Sequence, residues 1–141
     1  MSADFFSSMR VSASGLDAQM KRMNTVSSNL ANAETPGYKR KDAEFSATPD
    51  RESFGDILNN KMDEAVQGVI VSDIREDEKA PRLMYKPEDP RANADGYVEM
   101  PNVNPLQETA DMISAQRSYE ANVTAITAAT QMANKALELG R

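Results

Sequence analysis

The sequence predicts a mainly α protein: long N- and C-terminal helices pairing as an antiparallel coiled coil, with a small β-containing middle appendage. Three observations carry that reading. Each end holds an apolar stripe with a seven-residue period, five of the 7 prolines lie in residues 42–104, and that same stretch holds 15 acidic against 7 basic residues. Proline-poor, nearly neutral ends suit long helices, and a proline-rich centre does not. The boundaries that follow are 1–35 for the N-terminal helix of an axial core, 36–104 for a turn-rich middle with a small β element, and 105–141 for the C-terminal helix of that core.

In the first element Met9, Leu16, Met23 and Leu30 stand seven apart, with Phe6, Ala13, Met20 and Ser27 between them at steps of three and four. That is the period of a coiled-coil seam. A helix over residues 3–33 is about 45 Å long. Its remaining positions are rich in Ser, Asn and Thr, with Gly15 in the middle, so its intrinsic helicity is low and packing must supply the order.

The middle opens on Thr35, Pro36 and Gly37, whose order fits a turn with proline second and glycine third. Residues 54–66 read as a short helix or a mobile stretch. Residues 69–75 alternate as a strand does, and residues 83–86 and 97–100 are expected to pair across the turn-rich 87–96. The last element starts at a legible cap, because Asn104 suits the N-cap, Pro105 the first helical position and Gln107 the acceptor position of a capping box. Met112, Gln116, Tyr119, Val123, Ile126, Thr130, Ala133 and Leu137 then step by four and three, and Gly140 is expected to end the helix.

Composition says what such a chain lacks. Leu, Ile, Val and Phe make up 24 of 141 residues, about 17%, while Ala contributes 19 and Met 9. Chains below roughly 20% of those four residues tend toward disorder. Alanine buries little area, so burial against neighbouring subunits is the natural remedy. The absence of Cys, His and Trp removes thiol and imidazole chemistry and the usual zinc sets. The pairs Asp77 with Glu78 and Glu88 with Asp89 are the only acid–base candidates, and neighbours on a loop seldom face one cleft. No phosphate-binding glycine pattern occurs, no cofactor is implied, and a net charge of −6 speaks against nucleic acid. No segment reaches membrane-span length, and residues 1–10 lack the basic start and apolar run of a cleavable signal.

Residues 28–40, SNLANAETPGYKR, resemble the N-terminal signature of bacterial flagellar axial proteins, the rod, hook and hook-associated subunits. Residues 118–139, with Tyr119, Glu120, Ala121, Asn122 and Val123 followed by Met132 and Leu137, are similar to the matching C-terminal signature. The short length, with DGYVEMPNVN at 95–104 and DMISAQRSYEANV at 111–123, is closest to the proximal rod subunits. Ser27 departs from the alanine expected in many relatives, and residues 43–67 match least.

The resemblance implies a non-enzymatic rod subunit of the flagellar basal body. It implies export through the flagellar type III apparatus without a cleaved signal peptide, then helical assembly in the periplasm into a drive shaft that transmits torque and surrounds the export channel. The implied partners are other copies of the chain, other rod subunits, the rod-base adapter and the export apparatus, without membrane insertion. Leu16, Met20, Met23 and Leu30 are then expected to pack on Tyr119, Val123, Ile126 and Leu137 within the subunit. Asn29, Asn32, Lys39, Arg40 and Asn122 are the candidate subunit interface. The alternative reading from another class is a cytoplasmic coiled-coil binding adapter.

Overall fold

The computed structural model describes residues 2–48 and 67–139, with side chains from residue 7 onward. The expectation for residues 54–66 and the end signal at Gly140 lie outside the described residues. In chain order the elements are α1 (Ser2–Ala31), β1 (Lys41–Ala47), β2 (Val69–Glu76), β3 (Arg82–Tyr85), β4 (Tyr97–Met100) and α2 (Pro105–Leu139). The helices have 30 and 35 residues, or about 45 and 52 Å at 1.5 Å per residue.

Contacts between the helices pair residues in reverse order. Asn29 meets Glu108, Arg22 meets Asp111, and a Cβ built on Gly15 would lie 3.1 Å from the Asn122 amide. As α1 runs back from 29 to 15, α2 runs forward from 108 to 122, so the two chains run in opposite senses along the contact. The α1 residues of these three contacts, Gly15, Arg22 and Asn29, are themselves seven apart. Their partners on α2 are Glu108, Asp111 and Asn122, and Ala115 between them is fully buried. Small and polar residues thus take part in the contact, and the absence of a Cβ at Gly15 leaves room for the Asn122 amide.

The large apolar residues sit beside this contact. Leu16, Met23 and Leu30 each follow a contact residue by one position, which is about 100° around the helix. Leu16 and Met23 are half-buried, whereas Met20 is 46% exposed and Leu30 37% exposed. On α2, Tyr119 and Ile126 are half-buried, Val123 is 40% exposed and Leu137 73% exposed. Among the described residues the buried apolar side chains are Ala18, Val26, Ala33, Val98, Met100, Val103 and Ala115. That is little large-side-chain area for two helices of this length.

The strands form two separate antiparallel pairs, β1 with β2 and β3 with β4. Sequence reading found β2, β3 and β4 but left residues 43–47 unassigned. KDAEFSA carries only one large apolar side chain, so its strand state comes from its partner rather than from propensity. A bulge where Glu44 faces Asp73 and Phe45 faces Val71 leaves Ser72 without an opposite residue. That extra residue keeps Ala43 with Ile74 and Phe45 with Val71 on one face; a plain slip would have turned one set over. This face turns toward α1, because Arg22 lies 5.9 Å over the Phe45 ring.

Two turns set these strands. Tyr38 N–H donates to the Thr35 carbonyl at 3.1 Å across Pro36 and Gly37, with Gly37 at φ +81°, a type II turn. Between β3 and β4, Gly96 has φ +79°, and a Cβ there would meet the Tyr85 ring at 2.9 Å. Tyr85 packs edge-on to Tyr97 with ring centroids 5.3 Å apart.

Gly37→Ala is expected to destabilise the subunit by about 1–2 kcal/mol, from left-handed backbone strain alone. Gly96→Ala should cost more, because strain and the Tyr85 collision add. Thermal denaturation of both variants checks the order, and equal losses would show that Tyr85 simply moves aside.

Candidate functional site

The described residues bury one charged carboxyl group and one carboxamide completely, and the two touch. Glu108 is 1% exposed and Asn29 0% exposed. Asn29 lies in the last turns of α1. Asn104 starts α2, its Oδ1 accepting the Leu106 N–H at 3.1 Å and its carbonyl accepting the Glu108 N–H at 3.0 Å. Capping thus places Glu108 in the first turn, where the helix dipole favours negative charge.

Asn29 uses all four of its hydrogen-bonding positions. Nδ2 donates to the Lys41 carbonyl at 2.7 Å and to Glu108 Oε2 at 3.0 Å. Oδ1 accepts the Lys41 N–H at 2.8 Å and the Tyr38 hydroxyl at 3.0 Å. The amide thus holds both backbone groups of the first residue of β1 as a neighbouring strand would. Ser28 Oγ lies 3.2 Å from Tyr38 Oη and completes the tyrosine's environment.

Arg40 closes the arrangement. Its Nε donates to Glu108 Oε1 at 2.7 Å, and its Nη1 lies 3.2 Å from Asp42 and 3.9 Å from Asp77. The Arg40 carbonyl accepts the Asp77 N–H at 2.7 Å, extending the ladder past the end of β2. Burial disfavours the guanidinium charge, but the bonds to Glu108 and Asp42 outweigh it and raise the Arg40 pKa. The Asp77 carboxyl is held below its ordinary range chiefly by the Lys79 N–H, with the Lys79 charge adding to that and desolvation opposing it. The Asp89 carboxyl is likewise lowered, first by its bond to the Arg91 side chain.

One heptad away from Asn29, Arg22 makes a second junction. Its Nη2 donates to Asp111 Oδ1 at 3.2 Å while its guanidinium lies over Phe45. Ser14 Oγ makes a third tie, accepting the Val69 N–H at 3.0 Å and donating to the Val11 carbonyl at 2.7 Å.

The residues proposed from sequence for contact with neighbours divide by position. Asn29 and Arg40 have their polar groups engaged inside the subunit, Arg40 with a side chain 16% exposed. Asn32 is half-buried and donates to the Ser28 carbonyl, and Asn122 donates to the Ser118 carbonyl. Lys39 is open to solvent and lies 3.6 Å from Glu76. Sequence reasoning missed Glu108, Tyr38, Arg22 and Asp111. The one available signal was an acidic residue four positions after a helix cap, which reads as a dipole contact rather than a buried group. The acidic pairs weighed for acid–base work lie apart in loops: Asp77 is bound to Lys79 and Asp89 to Arg91. Among the described residues no cluster of three or more possible metal ligands occurs, and no helix is long and apolar enough to cross a membrane. The site as built is a polar junction joining α1, α2 and the β1–β2 pair.

Comparison with known proteins matches both ends. A family profile described as flagella basal body rod protein covers residues 9–39, and one described as flagellar basal body rod FlgEFG protein C-terminal covers residues 94–139. The first contains Arg22, Asn29 and Tyr38, and the second contains Glu108 and Asp111. The chain is similar to the flagellar basal-body rod protein FlgC of Bacillus subtilis (strain 168), 49% identical over 96% of this chain and 98% of that protein. It is also similar to the proteins of that name from Aquifex aeolicus (strain VF5), 40% identical over 96% of both chains, and Escherichia coli O157:H7, 36% identical over 93% of this chain and 94% of that protein.

Glu108→Ala is expected to lower the unfolding free energy by about 3–5 kcal/mol, because it strands a largely buried guanidinium. Arg40 can turn toward Asp42 and Asp77, which favours the lower end of that range. Asn29→Ala leaves both Lys41 backbone groups without partners, at about 1–3 kcal/mol for each group. Urea denaturation of the full-length chain measures both, and losses below about 1 kcal/mol, the scale of an exposed pair, would mean the junction does not hold these elements together.

Proposed function

The chain belongs to the FlgC family of flagellar basal-body rod proteins and is a structural subunit of that rod; from this premise we propose how it assembles. Subunits pack helically with copies of the chain and with other rod subunits into a periplasmic drive shaft that transmits torque and surrounds the export channel. The chain reaches the rod through the flagellar type III apparatus without a cleaved signal peptide, and the rod-base adapter is one of its neighbours. Within the subunit, α1 and α2 wind as an antiparallel coiled coil. Each subunit presents two different complementary surfaces, as stacking without closure requires.

The observation that carries this reading is the apolar surface left beside the helix contact. Met20, Leu30, Ile113, Val123, Met132 and Leu137 remain 37–73% exposed. In this proposal the stripe Leu16, Met20, Met23 and Leu30 packs on the stripe Tyr119, Val123, Ile126 and Leu137 within the subunit, and the surface of both that remains exposed completes its burial against neighbours. Asn32, Lys39 and Asn122 supply polar contacts at the same surfaces. The far half of α2 is prepared for such packing, because Thr124, Thr127 and Thr130 already donate their hydroxyls to carbonyls four residues back, at 2.8–2.9 Å. Burial of these threonines then leaves no hydroxyl proton unpaired.

Burial also differs along the helix pair. Every fully buried residue of α1 lies at or beyond Ala18, and those of α2 lie at or before Ala115, among the described side chains. The junction end is formed within the subunit, and the other end draws its order from assembly. Amide exchange on dilute subunit is expected to show protection at residues 18–33 and 106–116. Residues 7–17 and 117–139 should exchange quickly and gain protection in assembled rod; uniform protection in the free subunit would sink assembly-coupled ordering. Leu30→Asp should leave the isolated fold intact and be absent from purified hook-basal bodies, whereas normal incorporation would remove Leu30 from the interface.

A further inference from the structure

Among the described elements, the β1–β2 pair and α2 both pack on α1, and their own backbones stay more than 8 Å apart between Cα atoms. Their connection runs through three side chains. Asn29 grips the first residue of β1 with three of its bonding positions, counting Tyr38 just before the strand, and Glu108 with the fourth. Arg40, immediately before β1, reaches Glu108 with one nitrogen and Asp42 with another. Arg22 bonds Asp111 and covers Phe45. Two of these residues belong to α1 and are seven positions apart, so each points one side of its head group at α2 and the other at the strands.

We infer that the first turns of α2 act as a latch for the β1–β2 pair: the end of the pair that begins at Lys41 is held against α1 only in molecules whose α2 has already docked, whereas Ser14 ties the other end at Val69 without α2. The physical reason is desolvation. With α2 away, Asn29 Nδ2 and the Arg40 guanidinium lose their buried acceptor, and Arg22 loses the carboxylate that fixes it over Phe45. An amide and two guanidiniums then regain more from water than from the strand start, so the dry contact that seats Lys41 opens. Arg40 already touches Asp42 and Asp77 on the strand side, so when Glu108 is away it keeps partners there and no longer joins the strands to α2. Such coupling is reciprocal: loosening the strand start must also loosen the first turns of α2. A chain in which α2 has not arrived keeps the Lys41 end of its β arm undocked, and the arm's apolar face, Ala43, Phe45, Val71 and Ile74, cannot take its final place beside α1.

The test alters α2 alone and reads the strands. In the full-length protein, Glu108→Gln and Asp111→Ala change no residue of β1 or β2. Each is expected to raise amide exchange of residues 41–47 and 69–76 by roughly 5- to 150-fold, the usual range of intersite coupling. Ala129→Gly serves as the distal control, expected to speed exchange in its own stretch of α2 and leave the strands unchanged. Conversely, Asn29→Ala should speed exchange at residues 106–112. Unchanged strand exchange in both α2 variants overturns the latch, and so does an equal effect from Ala129→Gly, which would mark general loosening. Asp111→Ala removes a half-exposed partner, and reads the latch through Arg22 even where Glu108→Gln disturbs folding.

Discussion

A carboxamide shut away from water must find four partners, and Asn29 finds them on two segments, residues 38–41 just after its own helix and the distant start of α2. Two come from Lys41, one from Tyr38 and one from Glu108. No apolar side chain could impose the same condition, because hydrophobic contact tolerates sliding whereas a buried donor left unmatched costs its full desolvation energy. The polar junction therefore sets register. Glu108 and Arg40 belong to the same constraint: a buried ion pair is weak evidence for net stability, yet losing one member strands the other.

The constraint matters because the helix contact itself specifies little. Gly15 makes room for the Asn122 amide, and Ala18 and Ala115 are fully buried, but small residues interlock weakly and would accept neighbouring registers. Arg22 with Asp111 and Asn29 with Glu108 are the discriminating pairs along that contact. With register fixed by polar groups, the larger apolar residues Met20, Leu30, Val123 and Leu137 can stay partly exposed within the subunit. That division of labour suits a subunit of a packed tube, in which each helix must serve an internal contact and an external one.

It also accounts for the uneven burial. One end of the helix pair carries the junction, the capped start of α2 and the buried Val98, Met100, Pro101 and Val103 from the return of the chain. The other end carries threonines bonded to their own helix and exposed apolar side chains. A rod subunit built this way has a settled end that defines its shape and a receptive end whose order depends on company. The β arm is tied to the settled side by Arg22 and Asn29, and Ser14 extends its attachment toward the receptive end.

The sequence by itself determined the two long terminal helices, the cap at Asn104, the turn at Pro36 and Gly37, three of the four strands and the axial family, since periodicity, proline placement and local signatures depend on neighbours in the chain. It also determined that apolar area is scarce. Only the tertiary structure decided which polar side chains cross from α1 to α2: Arg22 to Asp111 and Asn29 to Glu108, each one position before the apolar Met23 and Leu30, because a buried polar group must find its partner. It likewise decided that residues 41–47 form a strand, which needed β2 to supply the ladder, and that Glu108 is buried. A carboxylate in the first turn of a helix looks the same in sequence whether it faces water or an arginine 68 positions earlier, and its surroundings exist only once the chain has folded back on itself.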